Sequence, residues 1–269
     1  MSESTANIAR GRASMEKPEP VVIARIPFDA PWGWLAAGWR DLWAAPHISL
    51  LYGAAFSLAA FVFVFELSEF NALPLLLPLA GGFLLIGPLL AVGLYEISRR
   101  RAHGEPIRFG EILLAGRGAR GQLAFFGVIL LILYFLWLRV AFLLFMLFFG
   151  PVPFPPVSEF IPTLLFTQHG LGLLVTGTAI GAVLAATAYS ISAISVPMLL
   201  DRKVDTITAI ISSVRAVFMN PAAMGLWAVL IAALISLGVA TVFLGLIIAF
   251  PLVGHATWHA YQDIAGEKT

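Results

Sequence analysis

His255 and His259 stand four residues apart in Gly254-His-Ala-Thr-Trp-His259-Ala-Tyr261, so on a helix both imidazoles project from one side. Two neutral imidazoles so placed supply half of a metal site, which Glu96 or His47 could complete. The chain has no cysteine, which excludes thiolate ligands, disulfides and a cysteine nucleophile. No H-E-x-x-H string or dense carboxylate cluster accompanies the pair, and its commoner use is to hydrogen-bond helices together at an interface. Arg139 is the sole basic residue inside a long apolar run, where an unpaired guanidinium costs roughly 2.5–3.5 kcal/mol. It needs a partner such as Glu66, Glu69 or Glu159, and the reading is a structural ion pair before a substrate-binding charge. Glu96, Arg139, His255 and His259 are thus the candidate polar cluster, for a metal or a transported solute, with metal occupancy left open and no cofactor expected.

Other strings promise less. Gly116-Arg117-Gly118-Ala119-Arg120-Gly121 is a literal G-x-G-x-x-G, but a dinucleotide loop needs a preceding strand and a βαβ unit, and no strand pattern surrounds it. Its arginines, Arg117 and Arg120, with Arg99, Arg100 and Arg101, suit anionic lipid headgroups better, at about 1 kcal/mol per basic group near the surface. Tyr189, Ser192 and Ser195 either line a polar path or bond back to carbonyls one turn earlier, the commoner use. No nucleophile and base declare themselves, so no enzyme is expected and no catalytic residue is assigned.

The elements that must position these residues are membrane helices. With 60% apolar and 12% charged residues, the chain exceeds the apolar share of about 45–50% found in soluble domains. A helix needs roughly 20 apolar residues to cross the hydrocarbon core. Six such runs are present: about 48–65, 73–97, 122–149 and 171–200, and a block from 222 to 261 broken near 238–245 into a fifth and sixth. Fifteen of the sixteen Lys and Arg residues fall in alternate gaps between these runs, and the remaining gaps hold none. Because loops rich in Lys and Arg stay on the cytoplasmic side, both termini are placed inside. The net charge of +1 gives no reason to expect nucleic acid as a partner.

A short amphipathic stretch precedes each odd-numbered run. Trp32, Leu35, Trp39, Leu42 and Trp43 form the first stripe, with Arg40 and Asp41 pointing elsewhere; Phe109, Ile112 and Leu113 form the second; Val204, Ile207, Ile211, Val214 and Phe218 form the third. Such helices lie in the membrane interface with the apolar side down. Arg40, Arg117 and Arg215 coincide when the three segments are overlaid, and Ile86-Gly-Pro88 resembles Ala249-Phe-Pro251. The expected fold is therefore all-α: a polytopic bundle of six transmembrane helices, as three hairpins each preceded by a cytoplasmic interfacial helix. Gly177, Gly181 and Ala185, and Ala228, Ala232, Ser236 and Ala240, recur every four residues and predict close helix contacts. The expected domains are a disordered cytoplasmic arm over 1–27, the six-helix domain over 28–262 and a short tail over 263–269. Gly150-Pro-Val-Pro-Phe-Pro-Pro156 is expected to be an extended outer loop.

Several strings resemble an uncharacterised family of bacterial integral membrane proteins, domain-of-unknown-function family 2189. They are Gly38-Trp-Arg-Asp-Leu42, Ser49-Leu-Leu-Tyr-Gly53, Gly82-Phe-Leu-Leu-Ile-Gly-Pro88 and Gly93-Leu-Tyr-Glu-Ile-Ser-Arg-Arg100, followed by Ser195-Val-Pro-Met-Leu-Leu-Asp-Arg202, Asn220-Pro221 and Gly254 to Tyr261. The resemblance implies a multipass protein of the proteobacterial inner membrane, with the bilayer as its first partner and no established activity. The expected function is that of a non-enzymatic scaffold, accessory or assembly partner for other membrane components. The alternative is a small-solute transporter or channel, which would enclose a polar cavity near the midplane.

Overall fold

The computed structural model describes residues 21–70, 72, 75–151 and 157–266. Among the described residues there are helices and turns and no strand. The helices are α1 (Ala30–Ala44), α2 (Pro46–Glu69), α3 (Leu76–Leu90), α4 (Val92–Ala102), α5 (Phe109–Leu113) and α6 (Arg120–Phe149). They continue as α7 (Val157–Phe166), α8 (Gln168–Ser192), α9 (Ser195–Asp201), α10 (Thr206–Met219), α11 (Pro221–Ala240) and α12 (Leu246–Ala265). Proline in the first turn starts α1, α2 and α11, where the missing N–H has no intrahelical acceptor anyway. Asp205 caps α10 by accepting from the Thr208 N–H at 2.6 Å, and Thr167 caps α8 by accepting from the Gly170 N–H at 3.0 Å.

Five helical stretches are long and apolar enough to cross a membrane: Pro46–Glu69, Pro78–Ala102, Phe109–Phe149, Gln168–Asp201 and Pro221–Ala240. The second bends at Ala91, three residues after Pro88, and the fourth bends between α8 and α9. The sixth expected run is α12, a helix of 20 residues that carries Pro251, His255, His259, Gln262 and Asp263 and is the least apolar of the set. Thirteen of its residues are buried, His255 among them, while His259 and Gln262 are half-buried and Asp263 is exposed. It packs on α1, α2, α4 and α11, and forms the axis of the bundle.

Close approach to α12 uses glycines outside the two predicted stripes. A Cβ on Gly53 would collide with the Ile247 carbonyl, one on Gly38 with the Ala256 backbone, and one on Gly254 with Leu94. Gly177, by contrast, has open space where a Cβ would point. The stripes on α8 and α11 are therefore not the contact faces their spacing predicted, and their role is described below.

The amphipathic segments are used on both faces. On α1, Trp32, Trp39 and Trp43 are exposed, while Trp34, Gly38, Asp41 and Leu42 are buried. On α10, Ile207, Ile211 and Phe218 are exposed, and Thr206, Ala209, Ser212, Ser213 and Ala216 pack inward. The apolar stripe thus turns outward and a face of small and hydroxyl residues seats the helix. The middle segment is much shorter, a single five-residue helix with Phe109 exposed and Ile112 buried.

Part of the arm drawn over 1–27 belongs to the packed chain, because Val21 and Ile23 are buried and the Ala24 N–H donates to the Ile264 carbonyl at 2.8 Å. Asn220 locks this segment by accepting from the Ile26 N–H and donating to the Ala24 carbonyl, both at 3.0 Å. Ile264 and Ala265, assigned to the tail, are buried at the end of α12. Both ends of the described chain therefore meet at one end of the bundle. Residues 1–20 of the arm, 152–156 of the proline-rich loop and 267–269 of the tail lie outside the described residues. Helix α7 follows that loop and was not anticipated from the sequence.

Candidate functional site

Two features occupy the interior, a polar network at the basic end and an apolar cavity beyond it. The network centres on Asp41, 4% exposed on α1 although its segment suggested an outward-facing residue. The Arg101 guanidinium donates to Asp41 Oδ1 at 2.7 Å, and His259 Nε2 lies 2.8 Å from Oδ2. Burial alone would raise the Asp41 carboxyl, but hydrogen bonds from His259 and Ser98 outweigh it and hold the group below the ordinary carboxylate range. His255 is fully buried between two hydroxyls, its Nε2 3.0 Å from Ser49 Oγ and its Nδ1 2.8 Å from Ser98 Oγ. In a neutral imidazole one nitrogen donates and the other accepts, so two hydroxyls satisfy it fully.

A hydroxyl beside an imidazole is the unit of nucleophilic catalysis. Here Ser49, Ser98 and His255 are all closed off from solvent, and none of them lines the large apolar cavity described below. Their arrangement clamps α1, α2, α4 and α12 together. Trp34 Nε1 extends the clamp by donating to Asp263 at 2.7 Å, and the Tyr261 hydroxyl donates to Asp201 at 2.7 Å.

The predicted polar cluster does not converge. Glu96 is bound by Arg99 and Arg100 on its own helix; Arg99 also reaches Glu105, and Arg100 also reaches Glu111. His255 and His259 keep the partners named above, His47 is exposed, and no group of three His, Asp or Glu suited to a metal occurs among the described residues. Arg139 departs furthest from expectation: it is exposed, and no described carboxylate pairs with it. It lies in the second half of α6, with ten further residues of the helix beyond it.

Of the five predicted headgroup arginines, Arg99, Arg100 and Arg101 are engaged by Glu96, Glu105, Glu111 and Asp41, whereas Arg117 and Arg120 are exposed. Gly116 of the G-x-G-x-x-G string takes a left-handed φ of 76° and closes the turn after α5, with no strand before it. Ser192 and Ser195 bond back to the Ala188 and Ile191 carbonyls, and Tyr189 donates to Met224.

Sequence reasoning missed Asp41, Ser49, Ser98 and Arg101 as one unit. The available signal was Asp41 itself, a carboxylate between Trp39 and Trp43 in a helix that has to bury one face.

The cavity has a volume of about 920 Å³ and is walled by α3, α6, α8, α11 and α12, with Phe56 of α2 at its side. Its small walls are the stripes noted above, Gly181 and Ala185 on α8 and Ala228 and Ala232 on α11. Most hydroxyls on the wall are already used: Ser190, Ser192 and Thr257 bond to carbonyls of their own helices, and Tyr189 bonds across to α11. Trp137 Nε1 likewise donates to the Pro78 carbonyl. No carboxylate, ammonium or guanidinium lines the space. The space is open on one side, with Ala185 and Ala232 exposed, and its lining is mostly apolar, with the Trp227 Nε1 as a buried donor that has no partner among the described residues.

No curated protein and no solved structure matches the chain. A family model does match, over residues 75–201, which run from the start of α3 to the end of α9 and take in the arginine cluster and one wall of the cavity. The strings at 82–88, 93–100 and 195–201 lie within that match, while those at 38–53, 220–221 and 254–261 fall outside it. Over its matched residues the chain is similar to domain-of-unknown-function family 2189, described as predicted integral membrane proteins.

Proposed function

We propose that this integral membrane protein is a non-enzymatic scaffold or accessory component that works by contact within and beside the bilayer of a bacterial inner membrane. In this reading six helices cross as three hairpins, and both termini and the three interfacial segments face the cytoplasm. The observation that carries it is the use of the polar groups: the interior ionisable side chains are bound to one another at one end, and the large cavity offers a polar solute neither charge nor free amide. A pathway for polar solutes would need the reverse. The exposed Trp32, Trp39 and Trp43, with Arg117 and Arg120, supply a surface for headgroups and partner proteins on the basic face.

Affinity purification of the tagged full chain in mild detergent, followed by mass spectrometry, tests this reading. Membrane proteins recovered in stoichiometric amount are the expected result. Saturable uptake of a small polar solute into proteoliposomes, reduced by Glu96→Gln or His259→Ala and with no partner recovered, would overturn it in favour of the transporter alternative.

A further inference from the structure

The three places where successive hairpins of the proposed bundle meet are not alike. Between α3 and α6 the gap is filled, with Trp137 lying over Gly81 and Tyr134 over Gly82. Between α2 and α12 it is filled by the stacked rings of Phe56 and Phe250, 4.0 Å apart, and by Gly53 against the Ile247 carbonyl. Between α8 and α11 the helices do not pack along one another; Ala185 and Ala186 with Leu184 line one side of the space, and Ala228 and Ala232 with Ile231 line the other. The Tyr189 hydroxyl bridges them by donating to the Met224 carbonyl near the basic end, and the cavity extends to both sides of that bridge. On their other faces the same two helices expose Val175, Val183, Val229 and Leu237, as lipid-facing helices do. The gap between them therefore opens sideways, toward the acyl chains of the bilayer.

The shape and chemistry select the occupant. The wall runs from Gly81 to Tyr95 along α3 and α4, about 20 Å at 1.5 Å per residue, most of the depth of one leaflet and part of the next. It is apolar along that length, with Tyr95 and Ser236 as the lining hydroxyls not engaged elsewhere among the described residues. At the basic end the rim is the last turn of α10, where Val217 and Phe218 border the cavity. Arg215, three residues before Phe218 on the same exposed stripe, has no carboxylate partner among the described residues. A long, mostly apolar slot with an exposed guanidinium one helical turn outside its rim suits a molecule with an apolar tail and an anionic head.

We propose that the cavity between α8 and α11 is a binding site for one anionic phospholipid of the surrounding bilayer, its acyl chain seated against Ala185 and Ala232 and its phosphate at Arg215. The proposal goes beyond the scaffold reading and does not depend on it, since it concerns the bilayer and no protein partner.

The test uses the full chain reconstituted in vesicles of mixed phosphatidylglycerol and phosphatidylcholine, then re-extracted in mild detergent with the retained phospholipid quantified by mass spectrometry. About one retained phospholipid per chain is expected, enriched in phosphatidylglycerol. Ala185→Phe with Ala232→Phe, which fill the slot, lower retention at least fivefold. Val183→Phe with Val229→Phe, which add the same bulk on the exposed faces, leave it unchanged. Arg215→Gln keeps the retained lipid but removes the preference for phosphatidylglycerol. Equal retention by the slot-filling variant, an unchanged preference in Arg215→Gln, or a second copy or foreign membrane helix crosslinked into the gap would each overturn the proposal. Should the filled variant fail to fold, a phospholipid with a photoreactive acyl chain decides the matter on the unaltered chain. Adducts concentrated in 181–193 and 225–236 support the site, and adducts confined to the outward faces of the helices refute it.

Discussion

Asp41 ties three helices through two partners, and its removal tests the clamp directly. Asp41→Asn keeps the shape but loses the charge that holds Arg101, whose side chain is 38% exposed. The expected loss is about 1–2 kcal/mol, between the values for exposed and fully buried pairs, seen as a melting midpoint lower by about 3–8 °C in detergent. The pH dependence has a definite sign. The folded carboxyl sits below its ordinary value, so its contribution is present above the normal carboxylate range and is lost as pH falls through the folded pKa. Acidification from pH 7 toward 3 should lower the midpoint of the parent protein more than that of Asp41→Asn, and equal slopes would refute the role given to the carboxyl. Arg139 provides the opposite case. Since it is exposed and unpaired, Arg139→Leu should fold with unchanged yield and a midpoint altered by less than about 0.5 kcal/mol, measured by size-exclusion profile and thermal melt.

At the scale of elements, the helices were legible in outline because hydropathy and charge are carried by consecutive residues. The break between α11 and α12 fell where Gly238 and Gly245 suggested it, in a turn that forces Val242 and Phe243 to positive φ. What periodicity could not reveal is which small residue faces a neighbouring helix. Gly53 and Gly87 are both helical glycines of the apolar runs, yet the first abuts the α12 backbone and the second borders the cavity with nothing within reach. Gly53→Ala should therefore open the crossing of α2 and α12 and lower folded yield sharply. Gly225→Ala, at a glycine of α11 that borders the same cavity with nothing within reach and no proline beside it, should be neutral or stabilising by about 0.5–1 kcal/mol, through the lower backbone entropy of alanine. The same yield and melt from both variants would contradict the packing of α12.

For the whole molecule the alternating charge remains the strongest guide to orientation, and the absence of cysteine makes it simple to test. Glu69→Cys and Lys203→Cys, one at each end of the bundle, give chains with a single thiol. With an impermeant maleimide on intact spheroplasts, Glu69→Cys should be labelled at once and Lys203→Cys only after permeabilisation. Labelling of both from the same side would refute the expected topology. The meeting of Ala24 with Ile264 requires in any case that the chain leave and re-enter the bundle at one end.

The amino-acid order alone determined the all-helical class, the apolar runs and the segregation of basic residues, because each depends on neighbours in the chain and on the thickness of the bilayer. Tertiary structure decided which polar residues meet. Asp41 and His259 are 218 positions apart, and their contact depends on the rotation and height of α1 against α12, which no local pattern encodes. It also turned Arg139 to the outside, away from the carboxylates expected to pair with it. Two stripes of small residues, equally suited by spacing to a tight contact or to an open wall, became the walls of a cavity because α8 and α11 stand apart on both sides of the Tyr189 bridge.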